Sequence, residues 1–251
     1  MSSVLAIILA RAGSKGVPGK NAALIAGRPC VAWSIDDARD ANSVDRIIVS
    51  TDCPTVASCA RSMGVEVVDR PSALATDTAT VDDAARDCVR RMYGDEQRAC
   101  DSLRSVVLLY ANVPVRPTGL IDRAVSVFDA IGCDSVQSYT TVGKHHPWWT
   151  AVVSDDGGVR PWDGDVLNHG VFRRQDLPPA HVPDGGVLVV SPHALFHQIA
   201  GVRPGPHAFF GKERRGVVTG EGDVIDIDSR IDLLVADAIL RERADAARRS
   251  A

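Results

Sequence analysis

The sequence predicts an α/β fold: a doubly wound, mostly parallel sheet with helices on both faces and a small protruding lobe over residues 141–184. Three observations carry this expectation. Apolar runs of strand length alternate with segments of helical periodicity through residue 140. The alternation then stops until about residue 185, and the interval holds three of the four tryptophans. Each glycine-rich or acidic motif follows directly on an expected strand, where open α/β sheets bind ligands. A chain of 251 residues suits one such domain, 1–251, with 141–184 as an inserted lobe.

In order, strands are expected over 4–9, 46–50, 65–68, 105–109, 135–139 and 186–190. Helices are expected near 30–41, 54–63, 78–92 and 118–130, with a last one after Ser229. Pro29, Pro54 and Thr118 stand where first turns accept them. Asp232 lies three residues beyond Ser229, the spacing of a capping box. The lobe carries His145-His146-Pro147-Trp148-Trp149, and later Arg173-Arg174-Gln175-Asp176. Exposed Trp and Arg there suit a partner subunit or a ligand lid. His193 and His197 have zinc-like spacing on an expected helix, but no third ligand accompanies them. The arginine run over 241–249 reads as the solvated end of the last helix.

Composition narrows the function classes. The chain is 45% hydrophobic and 24% charged, with a net charge of −4, so bulk nucleic-acid binding is not expected. No apolar run approaches the ~20 residues of a membrane span. The six cysteines form no C-x-x-C pair and read as free thiols of a reducing compartment. The first residues lack the basic region of a signal peptide. A cytoplasmic protein without membrane association is the expectation.

The most informative segment is Leu9-Ala10-Arg11-Ala12-Gly13-Ser14-Lys15-Gly16-Val17-Pro18-Gly19-Lys20-Asn21. Its glycines and proline exclude a helix and let the backbone close around a ligand. Arg11, Lys15 and Lys20 make it cationic, and two of the chain's four lysines lie here although the chain otherwise favours arginine. A compact ammonium suits a crowded phosphate cluster. A Walker loop is excluded: Ser14 stands where its first glycine belongs, and Asn21 replaces the Ser/Thr that would hold magnesium. The dinucleotide spacing G-x-G-x-x-G is also absent. The segment therefore reads as a polyphosphate loop of another kind.

A second signal is Val224-Ile225-Asp226-Ile227-Asp228-Ser229. Two carboxylates two residues apart on a strand leave by one face, and at a strand-to-helix junction they suit a hard cation with phosphates. One of them could instead serve only as a cap. Ser50-Thr51-Asp52 offers hydroxyls and a carboxylate at a strand end, although Asp52 could simply begin the next turn. Arg70-Pro71, followed by Thr78, places a guanidinium fork on a loop at the same sheet edge.

Together these segments resemble the cytidylyltransferases that activate acidic sugars, the CMP-acylneuraminate synthetases. Ala10-Arg11 through Lys20-Asn21 matches their loop A-R-x-x-S-K-G-x-x-x-K-N at each fixed position. The segment 225–229 matches I-D-I-D-[ST], and 70–79 resembles R-P-x-x-L-A-x-D-[TS]-A. The resemblance implies a Rossmann-like sheet of the nucleotide-diphospho-sugar transferase type and transfer of CMP from CTP to an acylneuraminate or related nonulosonate. It implies that Arg11, Lys15 and Lys20 are catalytic, and that Ala10, Arg11, Ala12, Gly13, Ser14, Asn21, Asp52, Arg70 and Thr78 bind nucleotide. It implies that Asp226 and Asp228 hold Mg2+ or Mn2+.

On the acceptor side, Lys144-His145-His146-Pro147 and Arg174-Gln175-Asp176-Leu177-Pro178 resemble family stretches, which makes Lys144 and Arg174 candidates for a substrate carboxylate. The segment Leu108-Leu109-Tyr110-Ala111-Asn112-Val113-Pro114-Val115-Arg116 departs from the family's L-L-Q-P-T-S-P-L-R. Tyr110 and Asn112 thus become the residues on which acceptor identity turns. The resemblance also implies a homodimer, with the lobe as its dimerisation and acceptor-site element. Two alternatives stay open: a cytidylyltransferase for another acidic acceptor, such as a deoxyoctulosonate or a phosphonate, and a catalytically silent nucleotide-sugar binding protein.

Overall fold

The computed structural model describes residues 2–13 and 15–250. Its elements run β1 (Ser3–Ala10), β2 (Leu24–Ile25), β3 (Arg28–Pro29), α1 (Cys30–Asp40), β4 (Arg46–Thr51), α2 (Pro54–Ser62), β5 (Glu66–Asp69) and α3 (Val81–Tyr93). They continue through α4 (Glu96–Ser102), β6 (Leu103–Tyr110), α5 (Leu120–Ile131), β7 (Ser135–Thr141), β8 (Ala151–Val153) and β9 (Val159–Pro161). The last are β10 (His181–Val190), α6 (Pro192–Leu195), β11 (Arg214–Val218) and α7 (Arg230–Ser250).

Seven strands form one sheet in the order β11-β7-β10-β6-β1-β4-β5. β1 pairs in parallel with both β4 and β6, β4 with β5, and β11 with β7. Only β10 runs against its neighbours, antiparallel to β6 and β7. The expected mostly parallel, doubly wound sheet is therefore present, as mixed rather than wholly parallel. β10 also starts at His181, five residues before the expected 186, because pairing with β7 extends past an irregularity between Pro183 and Leu188.

β1 explains why an uninterrupted apolar run signals such a sheet. Val4, Ala6, Ile8 and Ala10 enter the core on one face. Leu5, Ile7 and Leu9 enter the core on the other. Both faces are covered, so the strand shows no polar alternation. A third, smaller core joins Ile25 and Cys30 to Val115, Ile227, Ala236 and Leu240. It seats α7 and the β2–β3 hairpin beneath the segment that carries the paired aspartates. Asp237 on α7 accepts the Ala26 amide at 2.6 Å and so fixes the hairpin turn, where Ala26 takes φ 48°.

Capping follows side-chain chemistry. Thr80 accepts the Asp83 amide at the start of α3, with Asp82 and Asp83 in its first turn. Ser229 Oγ accepts the Asp232 amide at 3.3 Å, and Asp232 Oδ2 accepts the Ser229 amide at 2.7 Å. That is the capping box expected from their spacing.

Arg116 is a buried clamp, with 1% of its side chain exposed. It donates to the carbonyls of Gly186 at 2.6 Å, Tyr110 at 3.0 Å and Val113, and pairs with Asp37 at 3.1 Å. Burial raises the Asp37 carboxyl above its usual range, and the guanidinium opposes this. The clamp fixes residues 110–113, which floor the cleft above the sheet.

Over 141–184 the chain forms short 3₁₀ turns and the small β8–β9 ladder, mostly exposed. The expected helix carrying both His193 and His197 is not there: α6 ends at Leu195, and His197 adopts φ 58°. No helix among the described residues is long and apolar enough to cross a membrane.

Candidate active site

The loop after β1 meets the paired aspartates across the carboxyl edge of the sheet. Lys20, with 14% of its side chain exposed, donates to the Ile227 carbonyl and pairs with Asp228 Oδ1, both at 2.7 Å. A Cβ at Gly16 would collide with the Asp228 carbonyl oxygen, so only glycine lets the loop lie against that backbone. Asp226 and Asp228 are not on a strand as expected; the segment has one bridge, Val115 to Ile225. The alternation survives because the Ile225 and Ile227 amides donate to the carbonyls of Val115 at 3.2 Å and Asn112 at 2.9 Å. Ile227 is thereby buried, while Asp226 is half-buried and Asp228 is exposed and lines the cleft.

Burial and then the neighbouring Asp228 push the Asp226 carboxyl up to about 6. Asn112 Nδ2 donates to Asp226 Oδ1 in a short contact. Two close carboxylates with an excess of negative charge invite a cation. No group of three or more His, Cys, Asp or Glu among the described residues could hold a metal. Two carboxylates with open positions are nevertheless the donor set that Mg2+ uses when phosphate oxygens and water complete its octahedron. The residues present fit that ion.

The other loop cations have a different counter-ion. Arg11 Nη1 and Lys15 Nζ each lie 2.7 Å from an oxygen of Asp77. Hydrogen bonds from Lys15 and then Arg11 hold the Asp77 carboxyl below its ordinary range. All three side chains are substantially exposed, so these contacts are exchangeable with an incoming anion. Arg70 is 9% exposed and donates to the Ser50 carbonyl at 3.0 Å. Asn21 donates from Nδ2 to the Arg11 carbonyl at 2.9 Å, while its Oδ1 is buried without a hydrogen-bond partner.

A cavity of about 330 Å³ joins these groups: Arg11, Lys15, Lys20, Asn21, Arg70 and Asp228 line it together with Tyr110 and Asn112. Gly13 and Gly16 face it as well. Ala10, Ala12, Asp52 and Thr78, also expected to bind nucleotide, do not line this cavity. Ala10 is buried, and its carbonyl accepts from Thr51 Oγ1 at 2.5 Å. The Ala12 amide donates to Asp52 Oδ1 at 2.7 Å, so Asp52 holds the loop from behind. Thr78 does not line the cavity; Ala79, Thr80 and Val81 do, because the chain turns into α3 at that point. Ser14 lies outside the described residues.

A second cavity, of about 530 Å³, adjoins the first and shares Thr80, Val81 and Tyr110 with it. Gln137, Tyr139, Phe209, Phe210, Arg214 and Arg215 line its other side. Sequence reasoning missed it, since its walls come from β7, β11 and the loop before β11 and meet only in the fold. The doublet Phe209-Phe210 followed by arginines was the one local signal. Tyr110 stands on the boundary, its hydroxyl pushed up to about 12 by burial and so protonated. Lys144 and Arg174 line neither cavity. Arg174 instead pairs with Glu221 at 2.6 Å, just beyond the end of β11.

Comparisons with known proteins address the family and the fold. The family model described as cytidylyltransferase matches residues 5–124. The chain is 35% identical over 245 residues to a CMP-N,N'-diacetyllegionaminic acid synthase of Legionella pneumophila, covering 97% of this chain and 98% of that one. It is 30% identical over 232 residues to an N-acylneuraminate cytidylyltransferase of Streptococcus agalactiae, covering 92% of this chain. It spans about half of that longer relative, 51%. In fold it is similar to a CMP:2-keto-3-deoxy-manno-octonic acid synthetase solved with CTP, with a TM-score of 0.68 at 16% identity, covering 96% of this chain and all of that one.

Proposed function

Since the chain belongs to the cytidylyltransferase family that includes the N-acylneuraminate and CMP-legionaminic acid synthases, we propose that it transfers CMP from CTP to an acylneuraminate or related nonulosonate, releasing pyrophosphate. One observation carries the reading. The cationic loop and Asp228 line one cavity and are joined by the 2.7 Å Lys20–Asp228 contact, with Asp226 two residues away on the same segment.

The triphosphate takes the place of Asp77 between Arg11 and Lys15, and Lys20 meets the charge that develops on the leaving pyrophosphate. The free Oδ1 of Asn21 is a buried hydrogen-bond acceptor. Asn21, which lines the cavity, contacts the base or ribose of the nucleotide. The acceptor lies in the second cavity, beside Tyr110, with Arg214 and Arg215 available to its carboxylate. One of its oxygens attacks the α-phosphorus. The new P–O bond forms as the bond to the β-phosphate breaks, and the hydroxyl proton passes to water. No covalent enzyme intermediate is required, so positioning and charge neutralisation supply the catalysis. Asp226 and Asp228 would hold magnesium, or manganese in its place, which would supply charge neutralisation for the phosphates and acidify the attacking hydroxyl.

The test is pyrophosphate release with each nucleoside triphosphate against N-acetylneuraminate, N,N'-diacetyllegionaminate and 2-keto-3-deoxy-manno-octonate. CTP with a nonulosonate should be preferred. CTP binding without turnover on any acceptor would favour a silent nucleotide-sugar binder.

The lobe 141–184 is proposed to pair two copies in a cytoplasmic homodimer and to bring Lys144 and Arg174 toward an acceptor. Phe172 and Trp162, 83% and 65% exposed, support an interface there. Light scattering should give twice the chain mass, and Phe172→Ser should shift it toward the monomer. A monomeric wild type at micromolar concentration would contradict the assembly.

A further inference from the structure

β7 turns alternate side chains toward the second cavity. Ser135, Gln137 and Tyr139 line it, while Val136 enters the core of the opposite face and the Ser138 hydroxyl bonds to Asp184. β7 is paired on both sides, with β10 and β11, so the part of Gln137 that meets the cavity is its side chain. Its Oε1 accepts the Tyr139 hydroxyl at 3.2 Å. Its Nε2 has no hydrogen-bond partner among the described residues and is not buried. Gly216, opposite Gln137 on β11, leaves room for this pair: a Cβ there would approach Tyr139 Cδ2 to 3.1 Å.

With Oε1 engaged, the carboxamide offers the cavity N–H donors and no acceptor. An apolar wall lies beside it. Ser135 Oγ donates to the Phe210 carbonyl at 2.7 Å. That bond ties the stacked rings of Phe209 and Phe210, with centroids 4.4 Å apart, to β7 two residues from Gln137. Arg214, opposite Ser135 on β11, supplies a cation to the same cavity. A carboxylate is drawn to that guanidinium rather than to a neutral amide. A hydroxyl can accept from Nε2 but leaves the rings uncovered. A carbonyl bearing a small alkyl group, as in an acylamino substituent, meets the donor with its oxygen and the rings with its carbon.

We infer that Gln137 is a specificity-determining residue whose Nε2 donates to the acyl carbonyl of an acylamino sugar acid, and that Tyr139 is the positioning residue that keeps this nitrogen available to the cavity. The inference rests on the acceptor occupying this cavity, as proposed above.

Steady-state kinetics with CTP and a matched pair of acceptors test it: N-acetylneuraminate, and the same sugar acid with a hydroxyl in place of the acetamido group. Gln137→Met keeps the length of the side chain and removes the donor. Loss of a hydrogen bond between neutral groups corresponds to about 3–10-fold. The KM for N-acetylneuraminate should rise by that factor, while the KM for the hydroxyl analogue and the KM for CTP stay unchanged. Selection between the two acceptors falls accordingly. Tyr139→Phe should move the same ratio in the same direction by less, since it frees the carboxamide without removing it. If the analogue is not turned over, its inhibition constant against N-acetylneuraminate takes the place of its KM. If thermal unfolding shows Gln137→Met to be destabilised, the ratio in Tyr139→Phe decides. An equal rise with both acceptors, an unchanged ratio in a folded Gln137→Met, or a parallel rise in the KM for CTP overturns the inference. Wild type inactive on every acceptor would instead refute the proposed function, and the inference would fall with it.

Discussion

Lys20→Ala should lower kcat/KM for CTP by about 10²–10³-fold, the effect of deleting one preorganised donor aimed at developing charge. Lys20 stands between the triphosphate loop and the aspartates, with 14% of its side chain exposed. Its ammonium donates to a carbonyl that cannot move, that of buried Ile227. It is therefore positioned before substrate arrives, and most of the loss should fall on kcat. Stability should change little, because the Asp228 carboxylate it leaves is 76% exposed and can hydrate. Lys20→Arg should recover little: a planar fork cannot replace a point donor in so confined a site. Pyrophosphate release together with thermal unfolding checks this. Near-wild-type turnover in Lys20→Ala would remove the residue from the mechanism.

Asp228→Ala should be at least as damaging, about 10³-fold, because a metal contributes several kcal/mol of charge stabilisation during phosphoryl chemistry. The variant should fold, since the helix start is held by Ser229 and Asp232 rather than by the Asp228 side chain. Titration of Mn2+ by paramagnetic relaxation separates the roles. The wild type should bind Mn2+ with CTP, and Asp228→Ala should bind it more weakly. Equal Mn2+ affinity in the two proteins would show that Asp228 does not hold the ion.

The parts of this arrangement that were legible in the sequence are those with a local physical cause. β1, β4 and β6 are buried on both faces and so read as uninterrupted apolar runs. The loop over 11–21 was legible because two of four lysines and several glycines concentrate there. The capping box at Ser229 depends on residues three apart. Features made by tertiary pairing were not legible. β11 begins with two arginines and exists because it pairs with β7 at the sheet edge. The segment carrying the aspartates is held by hydrogen bonds from the Ile225 and Ile227 amides to the carbonyls of Val115 and Asn112, more than 100 residues earlier in the chain, rather than by a strand of its own. Asp52, open in the sequence between a ligand contact and the start of a turn, accepts the Ala12 amide of the loop, a bond no local pattern announces. The second cavity, and Gln137 in its wall, combine segments that carry no shared local pattern.

The central claim is that the α-phosphate of CTP passes to an acidic sugar within this cleft. The most direct measurement follows CTP labelled at the α-phosphorus in the presence of N-acetylneuraminate or N,N'-diacetyllegionaminate. The label should appear in the CMP-sugar, and unlabelled pyrophosphate should appear in equal amount, only when acceptor and Mg2+ are both present. Label remaining in CTP, or appearing in free CMP independently of the acceptor, would contradict the account.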